Sequence, residues 1–150
     1  MSNSKSQLAV IEGKWSNKTN ISVKGLFDVL SDINFTTPHA YIYEMFCDAS
    51  AFNNIVRRMG KEENIKFIYI GAHGNQKLIS GSGGYVSRVQ LKNSLVQLNT
   101  GAIEGIFLGS CLFGHVENGS FLLNPPNDTN PPIKHKYLHN ISQELLYSSF

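Results

Sequence analysis

The sequence predicts an α/β domain built on a mainly parallel sheet. Three observations carry that expectation. Short apolar runs at 8–11, 67–71 and 106–109 end in glycine or lead into polar loops. The segments between them repeat apolar residues at helical spacing, and the two kinds of segment alternate as far as Cys111. Strands buried on both faces read as near-continuous apolar runs, and strand–helix–strand order implies parallel strands joined by right-handed crossovers.

Taken in order, residues 8–11 predict the first strand. From 22 to 34, Val23, Leu26, Phe27, Leu30 and Ile33 share one side of a helix, which predicts an amphipathic helix laid on the sheet. Residues 40–43 predict the second strand. Asp48 or Ser50 then caps a helix carrying Phe52, Ile55, Val56 and Met59. The third strand is expected over 65–71. Residues 75–85, with Gly81-Ser82-Gly83-Gly84, predict a loop or small hairpin. Ser87 is placed to cap a helix with Val89, Leu91, Leu95 and Leu98, closed by Thr100-Gly101, before a strand that begins near 103. Beyond Cys111 the expectation is a short strand at 121–123, a Pro/Asn-rich loop at 124–132, a strand at 133–138 and a terminal helix carrying Ile141, Leu145 and Leu146. Proline fixes φ and removes a donor, so 124–132 cannot be regular structure.

Residues 1–150 read as a single domain, since 150 residues is close to the usual domain size. A net charge of +2 without a basic block gives no footprint for nucleic acid. No run reaches membrane-spanning length. The amino terminus lacks the apolar core of a signal peptide. Two cysteines, Cys47 and Cys111, in a chain able to build its own core fit a reducing compartment, so a cytoplasmic protein is expected.

The candidate chemistry lies where two apolar runs end: Gly71-Ala72-His73-Gly74 and Gly109-Ser110-Cys111. Open α/β sheets place their sites at the carboxyl edge of the strands, and neighbouring strands lie about 4.8 Å apart. A thiol there is activated by an adjacent imidazole, because the thiolate is the nucleophile. Cys111 is therefore the candidate nucleophile and His73 the candidate base. The competing reading makes Cys111 a small buried core residue and His73 the cap of a strand.

At these residues the chain resembles the caspase-like cysteine peptidases, in which an apolar strand ends in His-Gly and a later one in a small residue and Cys, often with Gly three positions on. His73-Gly74, Ser110-Cys111 and Gly114 fit that pattern. Gly-Ser-Cys-Leu-Phe-Gly replaces the Q-A-C-[RQG]-G of caspases proper, and His73 precedes Cys111 by fewer than their roughly 50 residues. The similarity is therefore to the metacaspase and CHAT-domain branch. It implies a three-layer α/β/α sandwich, a Cys-His dyad without cofactor or metal, a peptide or protein substrate, and an oxyanion hole from the backbone N–H groups of Gly74 and Cys111. It also implies that the segment after Cys111 builds part of the cleft. That segment is short here, so a second copy or a regulatory partner protein is the expected completion. Glu12, Lys14 and Arg88 are the candidate substrate-pocket residues, and Glu44 and Asp48 are candidates to orient His73.

Other constellations are weaker. Ser110 does not sit in a G-x-S-x-G elbow, since Leu108 and Leu112 occupy the glycine positions. His135 and His139 lack the further ligands of a zinc site. Two alternatives to a peptidase stay open: an inactive caspase-like interaction module, and a small ligand- or nucleotide-binding α/β domain.

Overall fold

The computed structural model describes residues 7–18, 21–34, 41–96, 103–110, 113, 116–123 and 137–140. Strands β1 (Leu8–Gly13), β2 (Tyr41–Phe46), β3 (Phe67–Gly71), β7 (Gly105–Gly109) and β8 (Tyr137–Asn140) form a parallel sheet in the order β2-β1-β3-β7-β8. Between β3 and β7, strands β4 (His73–Gly74), β5 (Leu78–Gly81) and β6 (Gly84–Ser87) make a small antiparallel sheet. The helices are α1 (Lys24–Asn34), α2 (Ala49–Met59), α3 (Arg88–Val96) and α4 (Val116–Leu123). The expected α/β class is thus observed. The loop or hairpin expected after His73 is a three-stranded meander, and β8 covers the end of the strand expected at 133–138.

Alternation along each strand divides the sheet into two unlike faces. Ala9, Ile11, Phe46, Ile68, Ile70, Ile106 and Leu108 join a single apolar core with Phe52, Ile55, Val56 and Met59 of α2, Leu91 and Leu95 of α3, and Leu122 of α4. Helix α2 shows how this face is assembled. Asp48 accepts the Ala51 N–H at 2.8 Å as N-cap, four apolar residues follow at helical spacing and all are buried, and the Gly60 N–H closes on Val56 O at 2.9 Å. Arg57 and Arg58 in the last turn complement the helix dipole. Ser87 and Gln90 start α3 with a reciprocal pair: Gln90 N–H to Ser87 Oγ at 3.2 Å and Ser87 N–H to Gln90 Oε1 at 2.9 Å.

The other face carries Tyr41, Tyr43, Tyr69 and Phe107, and α1 lies against it. The helix is turned away from the orientation its apolar periodicity predicts. Lys24, Phe27, Asp28 and Ser31, which also recur at helical spacing, are the residues turned inward. Phe27 packs on Tyr69 at a ring-centroid distance of 4.9 Å, Tyr41 Oη donates to Asp28 Oδ1 at 2.5 Å, and Ser31 is buried. Leu26, Val29, Leu30 and Ile33 are left 60, 57, 41 and 73% exposed. The Tyr41 hydrogen bond to Asp28 and the Phe27–Tyr69 ring contact set this rotation, because a buried phenol without a partner costs more than an exposed leucine.

The strand expected at 121–123 is instead the last turn of α4. A three-residue apolar run is too short for periodicity to separate strand from helix. Here Leu122 is buried in the core, and Phe121 takes the Arg88 guanidinium and Lys92 Nζ over its ring, each 4.7 Å from the centroid. Thr100-Gly101, the 124–132 loop and the terminal helix lie outside the described residues, as do Leu98 and Gly114.

The two sides of the molecule predict opposite mutational outcomes. Phe52→Ala is expected to cost about 3–5 kcal/mol in urea unfolding, since it removes a fully buried ring. Ile33→Ser on the outward face of α1 is expected to stay within about 0.5 kcal/mol of wild type.

Candidate active site

The β3–β7 register organises the carboxyl edge of the sheet. Ile68 pairs with Ile106, Ile70 with Leu108, and Gly71 with Gly109. His73 follows Gly71 by two residues and Cys111 follows Gly109 by two. Cys111 itself lies outside the described residues. His73 is exposed, and its backbone pairs with Ser80 across β4 and β5.

The chain around His73 is fixed by close packing and local hydrogen bonds. Gly74 faces the end of β7: a Cβ there would run into Ser110 Oγ and come within 2.9 Å of Leu78 O and 3.2 Å of Phe113 Cβ. Only glycine lets the two strand ends approach this closely. Asn75 then turns the chain, its Oδ1 accepting the Lys77 and Leu78 N–H groups at 2.8 and 3.1 Å. The far end of the meander rests on the connection between β2 and α2, where the Gly83 N–H donates to Cys47 O at 3.0 Å and a Cβ on Gly81 would meet the Cys47 backbone.

Ser110 is 2% exposed, and its buried Oγ has no hydrogen-bond partner among the described residues. It precedes Cys111 and abuts Gly74, so an unused hydroxyl lies between the two strand ends. Asn118 of α4 ties the same region from below, donating through Nδ2 to Gln76 O at 2.8 Å and to Phe113 O at 2.9 Å. Sequence reasoning missed this residue. Flanked by Glu117, Gly119 and Ser120, it carried no local signal that sets it apart.

Glu12 is fully buried at the end of β1, beside Gly71 of β3. Its carboxylate accepts from Trp15 Nε1, from the Val23 N–H at 2.9 Å, and from Ser22 Oγ and Tyr43 Oη at 2.5 Å each. Four donors satisfy a charge that would otherwise cost several kcal/mol to bury. Trp15 in turn sets its ring against the His73 imidazole, 4.1 Å between centroids and 75° between planes. Burial, and then the bond to Glu12, push the Tyr43 phenol up to about 12. Burial, and then the Glu12 charge, raise Tyr69. Burial followed by the hydrogen bond to Asp28 raises Tyr41.

The remaining sequence candidates take other positions. Lys14 is half-buried just past β1, its N–H bonded to Phe46 O at 2.8 Å. Arg88 stacks on Phe121. Glu44 pairs with Arg58 Nη1 at 3.0 Å, and Asp48 caps α2. The structure therefore brings Glu12, through Trp15, to His73, while Arg88, Glu44 and Asp48 make structural contacts. Trp15 carried no signal as a site residue, because nothing in its local sequence predicts that its ring crosses to His73. A polar cleft of about 330 Å³ between α2 and α3 is lined by Ser50, Asn53, Gln90, Asn93 and Ser94 and includes no sequence-predicted site residue. Among the described residues no three His, Cys, Asp or Glu side chains gather as a metal-binding group, and no helix is long and apolar enough to cross a membrane.

With this geometry established, comparison with family models and with curated proteins gives no match.

The raised tyrosines fix the sign of the alkaline pH dependence. An unfolded Tyr43 loses its proton near 10, whereas the folded one holds it to about 12. The contribution is complete below pH 10 and is lost as pH rises through 12. Urea unfolding should show stability falling across this window, with a smaller fall in Tyr43→Phe. Asn118→Ala, which strips the donors from two carbonyls, is expected to cost about 1–3 kcal/mol in the same assay.

Proposed function

We propose that the chain is a caspase-like cysteine peptidase with a three-layer α/β/α architecture, acting in the cytoplasm through His73 and Cys111. The observation that carries this reading is the β3–β7 register: on adjacent parallel strands Gly71 opposes Gly109, and the imidazole and the thiol belong to residues at the same count beyond them. The exposure of His73 and the requirement for glycine at 74 add support.

In this mechanism the Cys111 thiolate attacks the scissile carbonyl carbon and forms a C–S bond, and the carbonyl electron pair moves onto oxygen. The N–H groups of Gly74 and Cys111 receive the oxyanion. Absence of a side chain at 74 lets that backbone pack against Ser110 and Phe113 at the end of β7, which holds its N–H in place. As the intermediate collapses, the C–N bond breaks and His73 gives its proton to the departing amine. Water then attacks the thioester, His73 takes the water's proton, and the carboxylic acid leaves with the thiolate restored. Trp15 forms one wall beside the imidazole. A regulatory partner or a second copy completing the cleft remains part of the proposal, as does a peptide substrate.

Labelling by a peptidyl acyloxymethyl ketone, mapped by mass spectrometry, tests the dyad. The proposal expects selective modification of Cys111 that falls by about 10²-fold or more in His73→Ala, with the exposed Cys47 as internal control. Equal, slow labelling of both cysteines, indifferent to His73, rejects it.

A further inference from the structure

We propose that Glu12 is a positioning residue for His73 and acts through Trp15. The inference rests on the peptidase reading and adds to the dyad a third group that does not touch substrate. The carboxylate is sealed at the end of β1, the strand next to β3, and pairs in register with Gly71, two residues before His73. Three of its four donors serve the fold: Ser22 Oγ and the Val23 N–H bring in the start of α1, and Tyr43 Oη binds β2. The fourth does not. Trp15 belongs to the loop after β1, and its ring lies against His73 at the exposed edge of the sheet. Spent on Glu12, its indole N–H fixes one edge of the indole while the ring rests against the exposed imidazole of His73.

The geometry selects a ring orientation for His73. Two torsions define the indole, and a hydrogen bond at one end with a ring contact at the other leaves neither free. An imidazole on an exposed two-residue strand would otherwise exchange between rotamers. General-base catalysis depends on one of them, and misplacement by about 1 Å is enough to cost about 10²-fold in rate. A charged group behind a tryptophan thus does by packing what an acid bonded directly to the histidine does by hydrogen bonding. Glu44 and Asp48, the carboxylates whose sequence positions suggested that role, are committed to Arg58 and to the cap of α2.

The test uses the full chain and two readouts. In histidine-labelled protein, the His73 ring resonances, assigned with His73→Ala, should carry an indole ring-current displacement that disappears in Trp15→Leu. Labelling of Cys111 by the peptidyl acyloxymethyl ketone should fall about tenfold or more in Trp15→Leu. Glu12→Leu should lose a similar factor, Glu12→Gln, which keeps an oxygen for the indole N–H, should recover most of it, and Glu12→Leu added to Trp15→Leu should cost nothing more. If Glu12→Leu fails to fold, Trp15→Leu and Glu12→Gln decide the matter. Unchanged His73 resonances and unchanged labelling in Trp15→Leu overturn the proposal. Wild-type labelling that ignores His73→Ala, together with resonances that do respond to Trp15→Leu, instead rejects the peptidase reading and reduces the Trp15 contact to a structural one.

Discussion

The pairing of β3 with β7 is the constraint on which the rest of the structure depends. Ile68 and Ile70 on one strand and Ile106 and Leu108 on the other enter the same core. A slip of one residue would turn these side chains to the opposite face, so burial itself holds the register. That register brings the two glycine-ended strands to the edge in step and seats Gly74 against Ser110. The chemistry proposed for His73 and Cys111 follows from the packing of four aliphatic side chains well below them.

The two faces of the sheet are held by different physics. Beneath α2, α3 and α4 the contacts are apolar, and each fully buried large side chain contributes on the order of 2 kcal/mol. Beneath α1 they are polar: Tyr41 reaches Asp28, and Tyr43 reaches Glu12. The second arrangement is directional where the first is not. It fixes the rotation of α1 although that leaves four apolar residues outward, and it leaves one Glu12 acceptor interaction for Trp15. The same carboxylate therefore anchors a helix and reaches the exposed edge of the sheet.

These differences explain what the sequence could reveal. Helix α2 was legible in its apolar spacing and its extent, with the cap narrowed to Asp48 or Ser50, of which the structure uses Asp48. The strands were legible as apolar runs, and the juxtaposition of their glycine ends followed from their order. Helix α1 was legible as a helix but not in its orientation: its apolar stripe and its Lys24-Phe27-Asp28-Ser31 stripe have the same period, and tyrosines distant in sequence decide between them. At 121–123 three residues could not show a period. Trp15, Asn118 and the buried role of Glu12 were invisible for a related reason, since each acts on a group many residues away, and local pattern holds no information about such partners.

The central claim is that His73 and Cys111 face each other across the β3–β7 edge, and the most direct measurement of it is a cross-link. His73→Cys combined with Cys47→Ser leaves the introduced thiol and Cys111 as the chain's two thiols. A disulfide forms without backbone movement only when the Cα atoms lie within about 7 Å. Mild oxidation of dilute protein followed by peptide mapping should give an intramolecular bond between positions 73 and 111 in nearly every folded molecule. Reduced thiols, or bonds between chains alone, in protein whose circular dichroism matches wild type would contradict the claim.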